Sequence, residues 1–182
     1  MAYTKKYISK FRYLIDQIKS EEIERLTRIF KRCEKKNNSV LIFGNGGSAS
    51  ISSHVSTDLN KMYNIKSRNF NEANHITCFS NDYGYDKWIE ETLKIYLVKS
   101  DVVILISSKG MSKNMINAAK YCIRKKNELI TFTGFSKDNK LKSINNSSKL
   151  NFWIDSKNYN FVENIHQFIL LTAIDNIKKL KF

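Results

Sequence analysis

The chain of 182 residues is long enough to bury the core of one two- or three-layer domain, and no run approaches the roughly 18 to 20 apolar residues of a membrane span. Its first residues, MAYTKKYISKF, lack the apolar stretch of a secretion signal, and Cys33, Cys78 and Cys122 are odd in number and far apart, so a cytoplasmic protein with reduced thiols is expected rather than a disulfide framework or a zinc ribbon. The net charge of +14 raises nucleic-acid binding, but the lysines are scattered and no Arg-rich run, zinc finger or RNP-type aromatic motif accompanies them, so a nucleic-acid partner is not expected.

From the N-terminus, Tyr7, Ile8, Phe11, Leu14, Ile15 and Ile18 recur at helical spacing, and Ser20 ahead of Glu21 and Glu22 reads as an N-cap with acidic first-turn residues. Two helices are therefore expected in residues 1–37, with a core domain in 38–182. An amphipathic pair ahead of an α/β core suits packing against another subunit. Five short apolar runs follow: SVLIF at 39 to 43, HITCF at 75 to 79, VVILI at 102 to 106, LITFT at 129 to 133 and LNFWI at 150 to 154. They are β-branched or aromatic and mostly continuous, as in parallel strands covered on both faces. Helical stretches lie between them at 48 to 60, 85 to 97 and 112 to 126, and a last amphipathic helix covers 161 to 180. The polar segment 134 to 149 has room for a short helix only. This alternation predicts an α/β fold: a five-stranded parallel sheet, order 2-1-3-4-5, flanked by helices in three layers.

In such a sheet ligands bind beyond the carboxyl ends of the strands where the strand order reverses, here between the first and third strands. The loop after the first strand is Gly44-Asn45-Gly46-Gly47-Ser48, and the loop after the third is Ser107-Ser108-Lys109-Gly110-Met111-Ser112. Both open a helix. Glycines let backbone amides approach an anion, helix N-termini present free N–H groups, and serine hydroxyls add donors without bulk, a combination that suits a phosphate monoester. Ala49 stands where a GxGxxG fingerprint needs its last glycine, and there is no P-loop, so a nucleotide is not indicated. Behind the first loop, His54 and Asp58 share a helix face; on the last helix, Glu163 and His166 are three residues apart. If the two faces meet, they supply carboxylates and imidazoles for proton transfer or for a divalent metal.

The ordered motifs LIFGNGGSAS at 41 to 50 with His54 behind it, SNDYGYD at 80 to 86, LISSKGMSKN at 105 to 114, ITFTG at 130 to 134 and VENIH at 162 to 166 resemble the sugar isomerase (SIS) family, and within it the phosphoheptose isomerases. The resemblance covers nearly the whole chain. It implies an SIS fold and a homotetramer that converts sedoheptulose 7-phosphate into a heptose 7-phosphate for surface polysaccharide, lipopolysaccharide or capsule. It also implies that Ser48, Ser107, Ser108 and Ser112 hold phosphate, with Gly46, Gly47 and Lys109 in the same loops, and that Asn45, Asn81 and Asp82 contact the sugar. In that family a histidine and a glutamate after GNGGS, with a glutamine and a second histidine on the last helix, carry the proton transfer and can hold Zn²⁺. Here the corresponding positions are His54, Asp58, Glu163 and Leu171. By the same resemblance Asp58 or Glu163 is the base, His166 or His54 is the proton donor, and His54, Asp58 and Glu163 form the metal set. A non-catalytic SIS protein that senses a sugar phosphate or binds a protein partner is the alternative, favoured by the missing second histidine.

Overall fold

The computed structural model describes residues 2–145 and 150–178. Two helices, α1 (Tyr3–Asp16) and α2 (Ser20–Lys36), lead into β1 (Val40–Gly44) and α3 (Gly47–Tyr63). Then come β2 (Ser67–Arg68), α4 (Ala73–Tyr83), α5 (Trp88–Tyr96), β3 (Val102–Ser107) and α6 (Lys113–Lys125). The chain continues with β4 (Glu128–Gly134), the short α7 (Lys140–Ile144), β5 (Leu150–Ile154) and α8 (Tyr159–Asp175). All strand pairs are parallel and the order is β2-β1-β3-β4-β5, as the alternation of runs predicts.

Because successive strand residues face opposite sides, the continuous apolar strands feed two cores. Val40, Ile42, Ile104, Ile106 and Phe132 pack on one side with Leu26 and Phe30 of α2, Val55 and Leu59 of α3, and Ile165 and Ile169 of α8. Leu41, Phe43, Val103 and Leu105 pack on the other with Trp88 and Leu93 of α5 and Met115 and Cys122 of α6. The first core fixes α8 against both α2 and α3. Thr27 strengthens the α2 contact by donating to the Ala173 carbonyl at 3.1 Å. This placement lays one face of α8 along α3, which matters for the site.

Two expectations need correction. The run at 75 to 79 is not a strand but the middle of α4. Its aromatic residues repeat every four positions, His75 stacking on Phe79 with ring centres 4.3 Å apart and Phe79 meeting Tyr83 in a tilted contact at 5.9 Å, which is a helical ladder. The true second strand is the two-residue, polar Ser67–Arg68, paired to Val40 and Leu41. On its open edge the Asn60 amide stands in for a neighbouring strand, accepting from Ser67 N at 2.9 Å and donating to Ser67 O at 2.9 Å. Lastly, Ser20 is the first residue of α2 rather than its cap; Lys19 caps, without a side-chain bond. The short helix expected within 134 to 149 is α7, while 146 to 149 and the end of the last predicted helix, 179 to 180, lie outside the described residues.

Candidate active site

The first loop is built by glycines that nothing larger replaces. A Cβ on Gly44 would collide with the backbone of Ser48, so only glycine lets the first turn of α3 fold back on the end of β1. Gly46, the α3 N-cap, holds φ 56° and ψ −124°, a conformation L side chains avoid. Ser48 is buried behind them. In the second loop Gly110 has φ +63°, and a Cβ there would strike Asn139 Oδ1; its carbonyl accepts from Leu141 N at 2.9 Å. Ser107 and Ser108 are buried at the end of β3, and the Ser108 carbonyl accepts from Gly134 N at 2.8 Å. Ser112 caps α6 through its backbone, its carbonyl accepting from Ile116 N at 3.0 Å, while its side chain makes no capping bond.

The loops leave neighbouring strands, with Gly44 opposite Ile106, and are tied together by a pair of amides. Asn45 Nδ2 donates to Asn114 Oδ1 at 3.2 Å and Asn114 Nδ2 donates back at 3.1 Å. Asn114, 1% exposed, also accepts from Met115 N. Tyr85 Oη donates to Asn45 Oδ1 at 3.1 Å, bringing the segment after α4 to the site. Asn81 and Asp82 are exposed at the end of α4 and bond each other at 3.1 Å; among the described residues neither bonds either loop. Lys109 is exposed, its ammonium lying 5.7 Å from the Phe135 ring centre and 5.4 Å from that of Tyr159.

Beside the loops, α3 and α8 enclose a cleft of about 270 Å³ lined by Gly47, Ser50, Ile51 and His54 on one wall and Asn160, Glu163, Asn164 and Gln167 on the other. A larger cavity of about 480 Å³ between α1 and β5 touches neither loop. Glu163 reaches the loop end of the cleft: its Oε1 accepts from Ser108 Oγ at 3.2 Å, and its carboxylate lies so near Gly47 that a Cβ there would overlap it. His54 lies at the other end. Its Nε2 faces Asp58 Oδ2 at 3.2 Å and its Nδ1 faces Gln167 Nε2 at 3.2 Å. With the amide so assigned, Gln167 donates to Nδ1, and the neutral ring carries its proton on Nε2 toward Asp58.

The faces of α3 and α8 thus do meet, but not all of the expected residues stand on the cleft. His166 is 0% exposed, its Nε2 against the Thr133 carbonyl at 3.1 Å and its ring edge-on to Phe132. Burial pushes its pKa down to about 4, with the Thr133 carbonyl opposing. It is a core histidine and not a donor to a ligand in the cleft. Nor do the residues fit zinc. Asp58 is paired with His54 while Glu163 is turned to Ser108, and among the described residues no three His, Cys, Asp or Glu side chains group so as to hold a metal ion. Leu171, on the same α8 stripe as Gln167, packs against the core and brings no donor. Asn114, Tyr85 and the stripe Asn160, Asn164 and Gln167 were missed in the sequence. The stripe had a signal, since its i, i+4, i+7 polar spacing interrupts an otherwise apolar helix.

The structure is thus a doubly wound parallel sheet with two glycine- and serine-rich loops at its switch point, beside a cleft whose α3 wall carries His54. The SIS domain family model matches residues 6–134, and the chain belongs to that family. It is 28% identical over 177 residues to a phosphoheptose isomerase from Fusobacterium nucleatum, covering 94% of this chain and 89% of that one. It is 32% identical over 127 residues to one from Buchnera aphidicola of Schizaphis graminum, covering 67% of this chain and 66% of that one. The solved phosphoheptose isomerase from Francisella tularensis shares the fold with a TM-score of 0.86 at 20% identity, over 99% of this chain and 100% of that one.

Proposed function

We propose that the chain is a phosphoheptose isomerase, interconverting sedoheptulose 7-phosphate and an aldose heptose 7-phosphate for surface polysaccharide. The observation that carries this reading is the cleft itself. Gly47 and His54 lie seven residues apart on one stripe of α3, which at 1.5 Å per residue separates them by about 10 Å. A phosphate in the loops thereby leaves an extended sugar chain reaching the His54–Asp58 pair. Ser48, Ser107, Ser108 and Ser112, with the amides of Gly46 and Gly47 and the charge of Lys109, hold the phosphate; Asn45, Asn81 and Asp82 face the sugar.

The reaction moves a proton from C1 to C2 through an enediolate. The Asp58 carboxylate takes the C1 proton and delivers it to C2, while His54, whose Nε2–H faces Asp58 in the free site and whose Nδ1 is held by Gln167, passes its proton to O2 and takes up the one that the O1 hydroxyl gives up. Asp58→Asn keeps the size and removes the basicity. Turnover of sedoheptulose 7-phosphate is expected to fall by about 10² to 10⁴ while affinity for the phosphosugar stays near wild type. A rate unchanged by this substitution would remove Asp58 from the chemistry.

One observation favours a second reading. With His166 in the core and Leu171 apolar, His54 is the one imidazole among the described cleft residues. A phosphosugar-binding regulator without turnover would use the same loops, and intact binding with no isomerisation selects it. For the assembly we propose a homotetramer, because α1 leaves Tyr3, Ile8 and Tyr13 exposed.

A further inference from the structure

The Glu163 carboxylate is seated among groups arranged to receive an anion. One oxygen of its carboxylate accepts from Ser108 Oγ at 3.2 Å in the second loop, and the carboxylate closes on Gly47, the first residue of α3, in the first loop. It therefore bridges both loops at the positive end of a 17-residue helix. Among the described residues no cation lies within salt-bridge distance of it; Lys109, the cation of the second loop, has its ammonium over Phe135 and Tyr159. A carboxylate held by one hydroxyl and a helix end, with no ion pair, is held weakly enough to be exchanged. A dianionic phosphate drawn to the same hydroxyl and the same helix end meets it at close range.

We propose that Glu163 sets the anion affinity of the site: the chain's own carboxylate occupies part of the phosphate position, and a ligand phosphate displaces it toward the cleft. This rests on the reading of the two loops as a phosphate site. Displacement makes the free site discriminate against weak or small anions, since only a ligand that gains elsewhere, through hydroxyls along α8, offsets the loss of the Ser108 contact.

The test is calorimetry with inorganic phosphate on the full-length wild-type protein, Glu163→Gln and Glu163→Ala, with circular dichroism confirming the fold of each. Both variants are expected to bind phosphate at least about tenfold more tightly than wild type, because each removes a like charge a few ångströms from the ligand. If wild type binds and both variants bind equally or more weakly, the inference is overturned while the phosphate loops stand. If Glu163→Gln alone gains, the new amide donor explains it and charge competition is overturned. If no variant binds phosphate or sedoheptulose 7-phosphate, the loop reading itself fails. A wild-type crystal grown in phosphate gives an independent check: phosphate in the loops with Glu163 away from Ser108 is expected, and a carboxylate still bonded to Ser108 beside bound phosphate contradicts the proposal.

Discussion

The three histidines differ in what their ring nitrogens meet. His54 stands between Asp58 and Gln167 on the cleft, His75 bonds Thr92 at 2.9 Å within an aromatic group, and His166 faces Thr133 in the core with its Nδ1 unpartnered. The last arrangement has a consequence for stability. Burial lowers the folded-state pKa of His166 from 6.5 to about 4, so the buried neutral ring stabilises the fold fully above pH 6.5. As pH falls from 6.5 toward 4, the unfolded chain binds a proton that the folded one does not, and about 3 kcal/mol is lost across that window. Urea titrations of wild type and His166→Gln at pH 7.5 and 4.5 should show the gap between them shrinking at the lower pH; a constant gap would mean that His166 is not held neutral. The sequence held a clue to this burial, because His166 shares a helix stripe with Val162, Ile169 and Ala173, all fully buried. Chemical type drew attention to the residue, whereas its neighbours at helical spacing decided its place. Glu163, three residues earlier, falls one turn back on the polar stripe and does reach the cleft.

At the scale of elements, four of the five strands were legible: β1, β3 and β4 because they bury both faces, and β5 because buried Leu150, Phe152 and Ile154 alternate with half-buried Asn151 and Trp153. The second strand was not: Ser67 and Arg68 are polar and only two residues long, and nothing local marks them as strand. What holds β2 on its outer side is a side chain from α3, the Asn60 amide, and such a contact becomes visible only after folding. Asn60→Ala should leave Ser67 N–H and C=O without that partner and cost about 1 to 3 kcal/mol in chemical denaturation. No measurable loss would show that water replaces the amide at the edge. The run HITCF misled because five residues are too few to separate a buried strand from about one and a half turns of helix. Its flanks resolve the choice, since Tyr83 continues the four-residue spacing of His75 and Phe79.

At the scale of the whole molecule, the two loops were legible as one site because strand order alone brings the ends of β1 and β3 together. The wall opposite α3 was not, since it depends on how α8 lies across the first core. The N-terminal helices do part of that work, Tyr7 meeting Phe161 of α8 with ring centres 4.3 Å apart while Tyr3 and Tyr13 on α1 stay 77% and 54% exposed. Light scattering at micromolar concentration is expected to report four chains, and Ile8→Lys with Tyr13→Lys to lower that mass without altering the circular dichroism. A monomeric wild type would refute the tetramer. The chemistry is tested most directly by incubating the wild-type protein with sedoheptulose 7-phosphate in deuterium oxide and following the C1 protons by NMR. Exchange of solvent deuterium into C1, lost in Asp58→Asn while the phosphosugar still binds, is the expected result; binding of the phosphosugar by the wild-type chain with no exchange would contradict the isomerase.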